Sequence, residues 1–227
     1  MWNGKKKALT FSYDDGVQAD KRLLDIFNRY GMKGTFNLNS ALLSEEDGWN
    51  EWKRGLRVDH INAAEVPALY QGHEIAVHTA HHHDLTTLDA VVLKDEIETD
   101  KATLEALVGY DVVGMAYPFG TYNDTVVQAL KDAGIGYART IQECRDFSLP
   151  TDPLRWKHTC HHCHEGLFDL AEQFLNSTPD EPQLFAVWGH SYEFDVDENW
   201  DRIERFCAML SHRDDIAYVT NREALGL

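Results

Sequence analysis

Three short clusters of ionisable residues in this 227-residue sequence have the types and spacing that do chemistry. Ser12-Tyr13-Asp14-Asp15-Gly16 sets two carboxylates side by side at the end of an apolar run. Adjacent like charges are costly unless a cation or a hydrogen-bond network compensates them. Gly16 lets the chain turn sharply, so consecutive Asp side chains need not face opposite ways as they do inside a strand. Taken alone, the motif also describes a turn or helix cap with solvated acids. His78-Thr79-Ala80-His81-His82-His83 follows a second apolar run. His78 and His82 stand four apart, a spacing that brings two imidazoles together on one turn of helix, and His81 and His83 are expected to point elsewhere. Two neutral imidazoles with one carboxylate suit Zn²⁺, Co²⁺, Ni²⁺ or Fe²⁺ better than Mg²⁺ or Ca²⁺, and three protein ligands leave positions open for water and substrate. A solvated polar turn is the competing description. Trp188-Gly189-His190-Ser191 closes a late apolar run with a histidine whose near-neutral pKa suits proton transfer. A lone histidine is usually structural, and only the other two clusters make this one a candidate.

Cys160-His161-His162-Cys163-His164 is a further group of potential ligands. A tetrahedral structural zinc site normally draws on two such knuckles, and the sequence has one. The expectation is that His161 or His162 lines the active site from a loop over its mouth, with a structural role as the alternative.

Alternating elements must position these residues. Strand-length apolar segments (Ala8 to Tyr13, Gly34 to Leu38, Glu74 to Val77, Val112 to Tyr117, Gly136 to Arg139, Leu184 to Trp188, Ile216 to Val219) alternate with segments of helical period. The helical segments include Leu23 to Tyr30, a long one from about Thr87 to Val108, Asp124 to Ala133, Phe168 to Leu175 and Trp200 to Leu210. Ser40 to Val58, with Gly48, Trp49 and Trp52, reads as an irregular excursion bordering a site, before a short helix around Ala63 to Tyr70. The pattern amounts to about seven β/α units and predicts a parallel sheet or barrel with helices outside, in one domain spanning 1-227. In such a barrel the polar residues just after each strand are where function gathers.

Composition narrows the partners. Acidic residues outnumber basic ones 38 to 21, for a net charge of -17, which argues against a nucleic-acid partner. Lys5-Lys6-Lys7 reads as a solvated strand entry. No stretch approaches the ~20 apolar residues of a membrane span, and the first residues lack the pattern of a secretory signal, so the expectation is a cytoplasmic protein without a membrane partner. Cys144, Cys160, Cys163 and Cys207 are too few and uneven for a disulfide framework and are expected to be reduced thiols.

The motifs resemble those of the polysaccharide deacetylases, which include chitin, chitooligosaccharide and peptidoglycan deacetylases and acetylxylan esterases. Ser12 to Gly16 resembles the first signature, Thr-Phe-Asp-Asp-Gly; His78 to His82, followed by Asp84-Leu85, resembles the second, His-Ser/Thr-x-x-x-His; Tyr117-Pro118-Phe119-Gly120 resembles the third and Trp188 to His190 the fifth. The resemblance runs over nearly the whole chain. It implies a distorted (β/α)₇ barrel, one divalent metal ion, Zn²⁺ first among the candidates, held by Asp15, His78 and His82, with Asp14 as general base and His190 as general acid. An oxyanion donor is expected near Tyr117, and Tyr117, Pro118, Phe119, Trp188 and Trp156 as substrate-binding walls. The family's third signature begins with an arginine that pairs with the base aspartate, whereas this chain has Ala116. Asp152-Pro153-Leu154-Arg155-Trp156 resembles the fourth signature with Arg155 where an acid is usual, so Arg155 is expected to reach Asp14 from that side.

The implied activity is removal of acetyl groups from an acetylated sugar, oligosaccharide or polysaccharide, with N-acetylglucosamine amides ahead of xylan esters. Two other readings compete: a hydrolase of non-sugar cyclic amides on the same fold, and a silent carbohydrate-binding or metal-binding module suggested by Ala116.

Overall fold

β1 (Lys7–Asp14) is buried along its whole length, as expected of a parallel strand covered on both faces. The computed structural model describes residues 2–44, 48–51 and 53–227; Trp52 lies outside them. In chain order there follow α1 (Asp20–Tyr30), β2 (Gly34–Leu38), β3 (Gly48–Asn50), β4 (Arg57–Asp59), α2 (Val66–Leu69), β5 (Glu74–Val77), α3 (Ala90–Val108), β6 (Gly114–Ala116), α4 (Asp124–Asp132), β7 (Tyr137–Glu143), β8 (Trp156–His158), β9 (Cys160–His161), α5 (Leu167–Asn176), β10 (Gln183–Gly189), α6 (Glu193–Val196), α7 (Trp200–Leu210), β11 (Ile216–Tyr218) and α8 (Asn221–Leu225). No helix among the described residues is long and apolar enough to cross a membrane.

The main sheet runs β8-β7-β6-β5-β2-β1-β10-β9. Its two ends are one stretch of chain. Trp156 and His158 pair with Arg139 and Glu143 of β7, whereas Cys160 and His161 pair with Val187 and Trp188 of β10. The switch falls at Thr159, whose N–H donates to the Ala186 carbonyl at 2.8 Å. Residues 156–161 therefore serve as a single seventh stave that trades neighbours midway and closes the ring, giving the distorted (β/α)₇ barrel. The distortion continues at β1: β11 pairs with Lys7, Ala8 and Leu9, while β2 pairs with Phe11 to Asp14.

Helix ends obey local chemistry. Asp89 caps α3 by accepting from the N–H groups of Val91 and Val92, and Gly109 ends that helix in the left-handed region. α1 turns Leu23, Leu24, Ile26 and Phe27 inward, and the Phe27 ring packs on Phe11 of β1 at 4.5 Å.

Three local expectations are corrected. The seventh stave, Trp-Lys-His-Thr-Cys-His, shows no apolar run, because it turns Trp156 and His158 inward and its pairing rests on both neighbours. The excursion after β2 contains an antiparallel hairpin, with Trp49 opposite Val58. Residues 78–83 are not helical: Thr79 and His82 adopt positive φ of 66° and 57°, so the His78 and His82 rings meet, 4.8 Å apart, through a strained loop instead.

Candidate active site

Asp14 is the last residue of β1, in register with Asn37 of β2, whose Nδ2 donates to its Oδ1 at 2.8 Å. Asp15 leaves the strand at φ 79°, with its N–H donating to the Asn37 carbonyl at 3.0 Å. The left-handed step brings both carboxylates to the same cavity. Gly16 follows at φ 64°, where an added Cβ would lie 2.8 Å from Leu38 Cδ2.

His78 is anchored by its backbone. Its N–H reaches the Leu38 carbonyl at 3.0 Å and Asp100 Oδ2 of α3, also at 3.0 Å. Its ring Nδ1 lies 2.8 Å from the Ala116 carbonyl. A carbonyl only accepts, so Nδ1 carries the proton and Nε2 presents a lone pair. That lone pair lies 3.5 Å from Asp15 Oδ1, and His82 Nε2 lies 3.7 Å from the same oxygen. Burial, with His78 beside it, lowers the His82 pKa to about 4, so this ring is neutral near pH 7. Acceptor atoms converging within 4.8 Å of one another fit a cation between them. His81 and His83 turn away to Glu96 of α3, at 2.7 and 3.2 Å.

Asp14 is paired with Arg139, which is fully buried on β7. Burial opposes ionisation of Asp14, but Arg139, then His78 and His190, outweigh it and hold its carboxyl well below the usual range. Arg139 also lies over the Trp188 ring at 4.6 Å. Arg155 does not reach Asp14. It binds Asp152 at 2.6 Å and Asp124 at 2.7 Å on the outside of the barrel, from the end of the turn Pro153–Arg155 that precedes the seventh stave.

His190 follows β10. Its Nε2 lies 3.8 Å from Asp14 Oδ2 and its Nδ1 3.2 Å from Glu193 Oε2. Burial lowers its pKa, but the Glu193 hydrogen bond and the charges of Asp15, Glu193 and Asp14 raise it to about 9.

These groups border a cavity of about 510 Å³ whose walls include Trp49, Tyr117, Phe119, Trp188 and Tyr192. Phe119 is 59% exposed and packs on His82, with ring centroids 4.6 Å apart. Two expected walls are elsewhere. Trp156 is buried against Tyr137 and His158, and Pro118 is buried in the turn beneath Phe119. Tyr117's own N–H donates to the Arg139 carbonyl at 3.0 Å, so an oxyanion donor from this loop has to come from beyond Pro118. His161 and His162 stand behind His190, on Glu193, rather than over the mouth.

The residues the sequence reading missed are Arg139, Glu193 and Tyr192. An arginine inside a strand-length segment and a carboxylate three residues after a candidate histidine were the available signals.

The sequence profile of the polysaccharide deacetylase family matches residues 2–138. A chitin deacetylase of a Pestalotiopsis species is 31% identical over 131 residues, covering 57% of this chain and 39% of that protein. A probable peptidoglycan-N-acetylglucosamine deacetylase of Arthroderma benhamiae is 27% identical over 129 residues, covering 56% of this chain and 27% of that protein. The chain thus matches well under half the length of these relatives. Among solved structures, the Xyl-CE4 domain of a multidomain xylanase from the hindgut metagenome of Trinervitermes trinervoides superposes with TM-score 0.63 at 18% identity, covering 98% of this chain and 92% of that one. A CE4 family pseudoenzyme of Bacillus anthracis superposes with TM-score 0.58 at 16% identity, covering 97% and 66%. At these identities the structural likeness shows the fold alone.

Proposed function

Because the chain belongs to the polysaccharide deacetylase family, we propose that it is a metal-dependent hydrolase that removes acetyl groups from a carbohydrate, N-acetylglucosamine amides ahead of xylan esters. The observation that carries this reading is the placement of Asp14 and His190, 3.8 Å apart, beside the convergent Asp15, His78 and His82. A divalent cation, Zn²⁺ first, held by those three residues would supply Lewis acidity to the acetyl carbonyl and the attacking water.

The chain's own residues manage the protons. Asp14, kept ionised by Arg139, takes the proton from water as it attacks the carbonyl carbon. His190 Nε2, charged below pH about 9, gives its proton to the departing amine as the C–N bond breaks. The proton on Asp14 then passes to His190 Nε2, which restores both groups.

The cavity supports a neutral sugar. Its volume falls in the range of small-molecule sites, and its described lining includes no Lys or Arg to receive an anionic substrate. Aromatic faces such as Trp49 and Trp188 suit the apolar face of a pyranose. The relatives' names, a chitin deacetylase and a probable peptidoglycan-N-acetylglucosamine deacetylase, point the same way.

The test is acetate release from N-acetylglucosamine oligomers by metal-stripped protein after addition of Zn²⁺ or Co²⁺, with Asp14→Asn as control. Metal-dependent release that the substitution abolishes is the expected result. No release, with one metal bound per chain, overturns the reading in favour of non-sugar amides or a binding module.

A further inference from the structure

Glu193, the first residue of α6, gathers a set of nitrogens that the proposed reaction does not by itself explain. Its Oε2 lies 3.2 Å from His190 Nδ1, 3.1 Å from the His190 backbone N, 3.2 Å from His161 Nε2 and 3.3 Å from His162 Nε2. The liganding atoms of His161, His162, Cys163 and Glu193 all lie within 4.8 Å of one another, as in a metal site. The hydrogen bonds argue otherwise. His161 Nδ1 accepts from the Cys163 N–H at 3.1 Å, so the proton of the neutral ring is on Nε2 and donates to Glu193. Burial pushes the Cys163 thiol up to about 12, so it is not a thiolate near neutral pH. His162 is fully buried between the rings of Tyr13 and Phe194, at 5.6 and 4.2 Å, and burial holds it neutral.

The groups facing His190 then sort themselves. Asp14 and Asp15 face it from β1, His161 from β9, and Tyr192 and Glu193 from the chain entering α6. Asp14 is paired with Arg139, and Asp15 belongs to the cation set. Glu193 is the carboxylate left to His190. Resting on the reading of His190 as proton donor, we propose that Glu193 is its positioning residue: the carboxylate, steadied by His161, accepts a hydrogen bond from Nδ1–H and presents Nε2 to the leaving group.

The test compares wild type, Glu193→Gln and His161→Asn, each loaded with Zn²⁺. Gln keeps the size and an accepting oxygen but removes the charge, so a merely structural role predicts unchanged turnover. The expected result is a kcat lower by roughly 10–100-fold, the range for lost outer-shell partners, with KM within about twofold and the basic limb of the pH profile moved to lower pH. His161→Asn produces a smaller shift in the same direction. Imidazole ¹⁵N NMR supplies an arm that needs no substrate: His190 Nδ1 stays protonated in wild type and its titration moves down in Glu193→Gln. Unchanged His190 signals in the variant overturn the proposal even where wild type releases acetate. Absence of acetate release with shifted signals overturns the activity reading but not the role of Glu193 in orienting the ring. Two zinc ions per chain, falling to one in Glu193→Gln, overturns the proposal by making Glu193 a ligand.

Discussion

Arg139 meets Asp14 from the position on β7 that is in register with Ala116 on β6. The resemblance places an arginine at 116 to pair with the base. This chain carries it one strand over, on the neighbouring Cα. Adjacent strands lie about 4.8 Å apart, a step the long arginine side chain absorbs, so the guanidinium still meets the same carboxylate. The absence of arginine at 116 is therefore not a sign of a silent site.

Arg139→Ala leaves a buried, ionised Asp14 without its partner. Breaking a buried pair on one side costs about 3–5 kcal/mol. Urea unfolding should show a loss of that order, and acetate release should fall at least as steeply as for a displaced base. The in-register double variant Ala116→Arg/Arg139→Ala should recover part of both. Arg155→Ala, by contrast, should leave turnover within about twofold, because its partners Asp152 and Asp124 are on the surface.

Metal titration separates the histidines of one hexapeptide. His78→Ala and His82→Ala each remove a convergent nitrogen, and calorimetry should show a loss of Zn²⁺ affinity beyond the ~10–100-fold of an outer-shell change. His81→Ala should leave affinity within about threefold, since its ring is bonded to Glu96. Equal losses in all three would mean that the loop, rather than two of its rings, makes the site.

The pH profile has a direction fixed by His190. Its pKa is raised to about 9 in the folded protein from an ordinary 6.5. A raised histidine pKa means that the charged ring is favoured by folding: that contribution is complete below the unfolded value and disappears as pH rises through the folded one. The proton for the leaving group is lost over the same interval. The logarithm of kcat/KM should be flat near neutrality and fall with unit slope as pH passes about 9. A basic limb centred near 6.5 would show that the ring is not held by its carboxylates.

What the sequence revealed follows the range of the interactions. Asp14, Asp15, His78, His82 and His190 follow strands and sit in short motifs, so local chemistry exposes them. Arg139 acts through a partner that only barrel closure brings to it, 125 residues away, whereas Glu193 stands three residues after His190, a spacing that by itself does not mark a role. Arg155 was misassigned because it ends the turn Pro153–Arg155 before the stave and pairs outside the barrel, and Trp156 because, though turned inward, it is buried against Tyr137 and His158 and does not line the cavity. The seventh stave itself is polar in sequence, since the barrel interior at this end holds His158, Arg139 and Trp156 rather than an aliphatic layer.

Trp49 offers the remaining test, because it reaches the cavity from the hairpin and not from a barrel strand. Its ring stands edge-on to Tyr192 at 5.4 Å and lies 5.3 Å from the His60 ring, on the wall of the space that adjoins His190. Nothing in this contact set changes as a carbonyl becomes tetrahedral, so the binding it provides should be the same in the ground state and the transition state. Loss of uniform binding raises KM and leaves kcat alone. Aromatic contacts are worth about 0.5–1.5 kcal/mol, so Trp49→Ala should raise KM for an N-acetylglucosamine oligomer by roughly 2–12-fold with kcat within about twofold, the opposite split from Glu193→Gln. A fall in kcat at unchanged KM would instead show that the hairpin acts on the chemistry, through Tyr192 and the His190 it packs against.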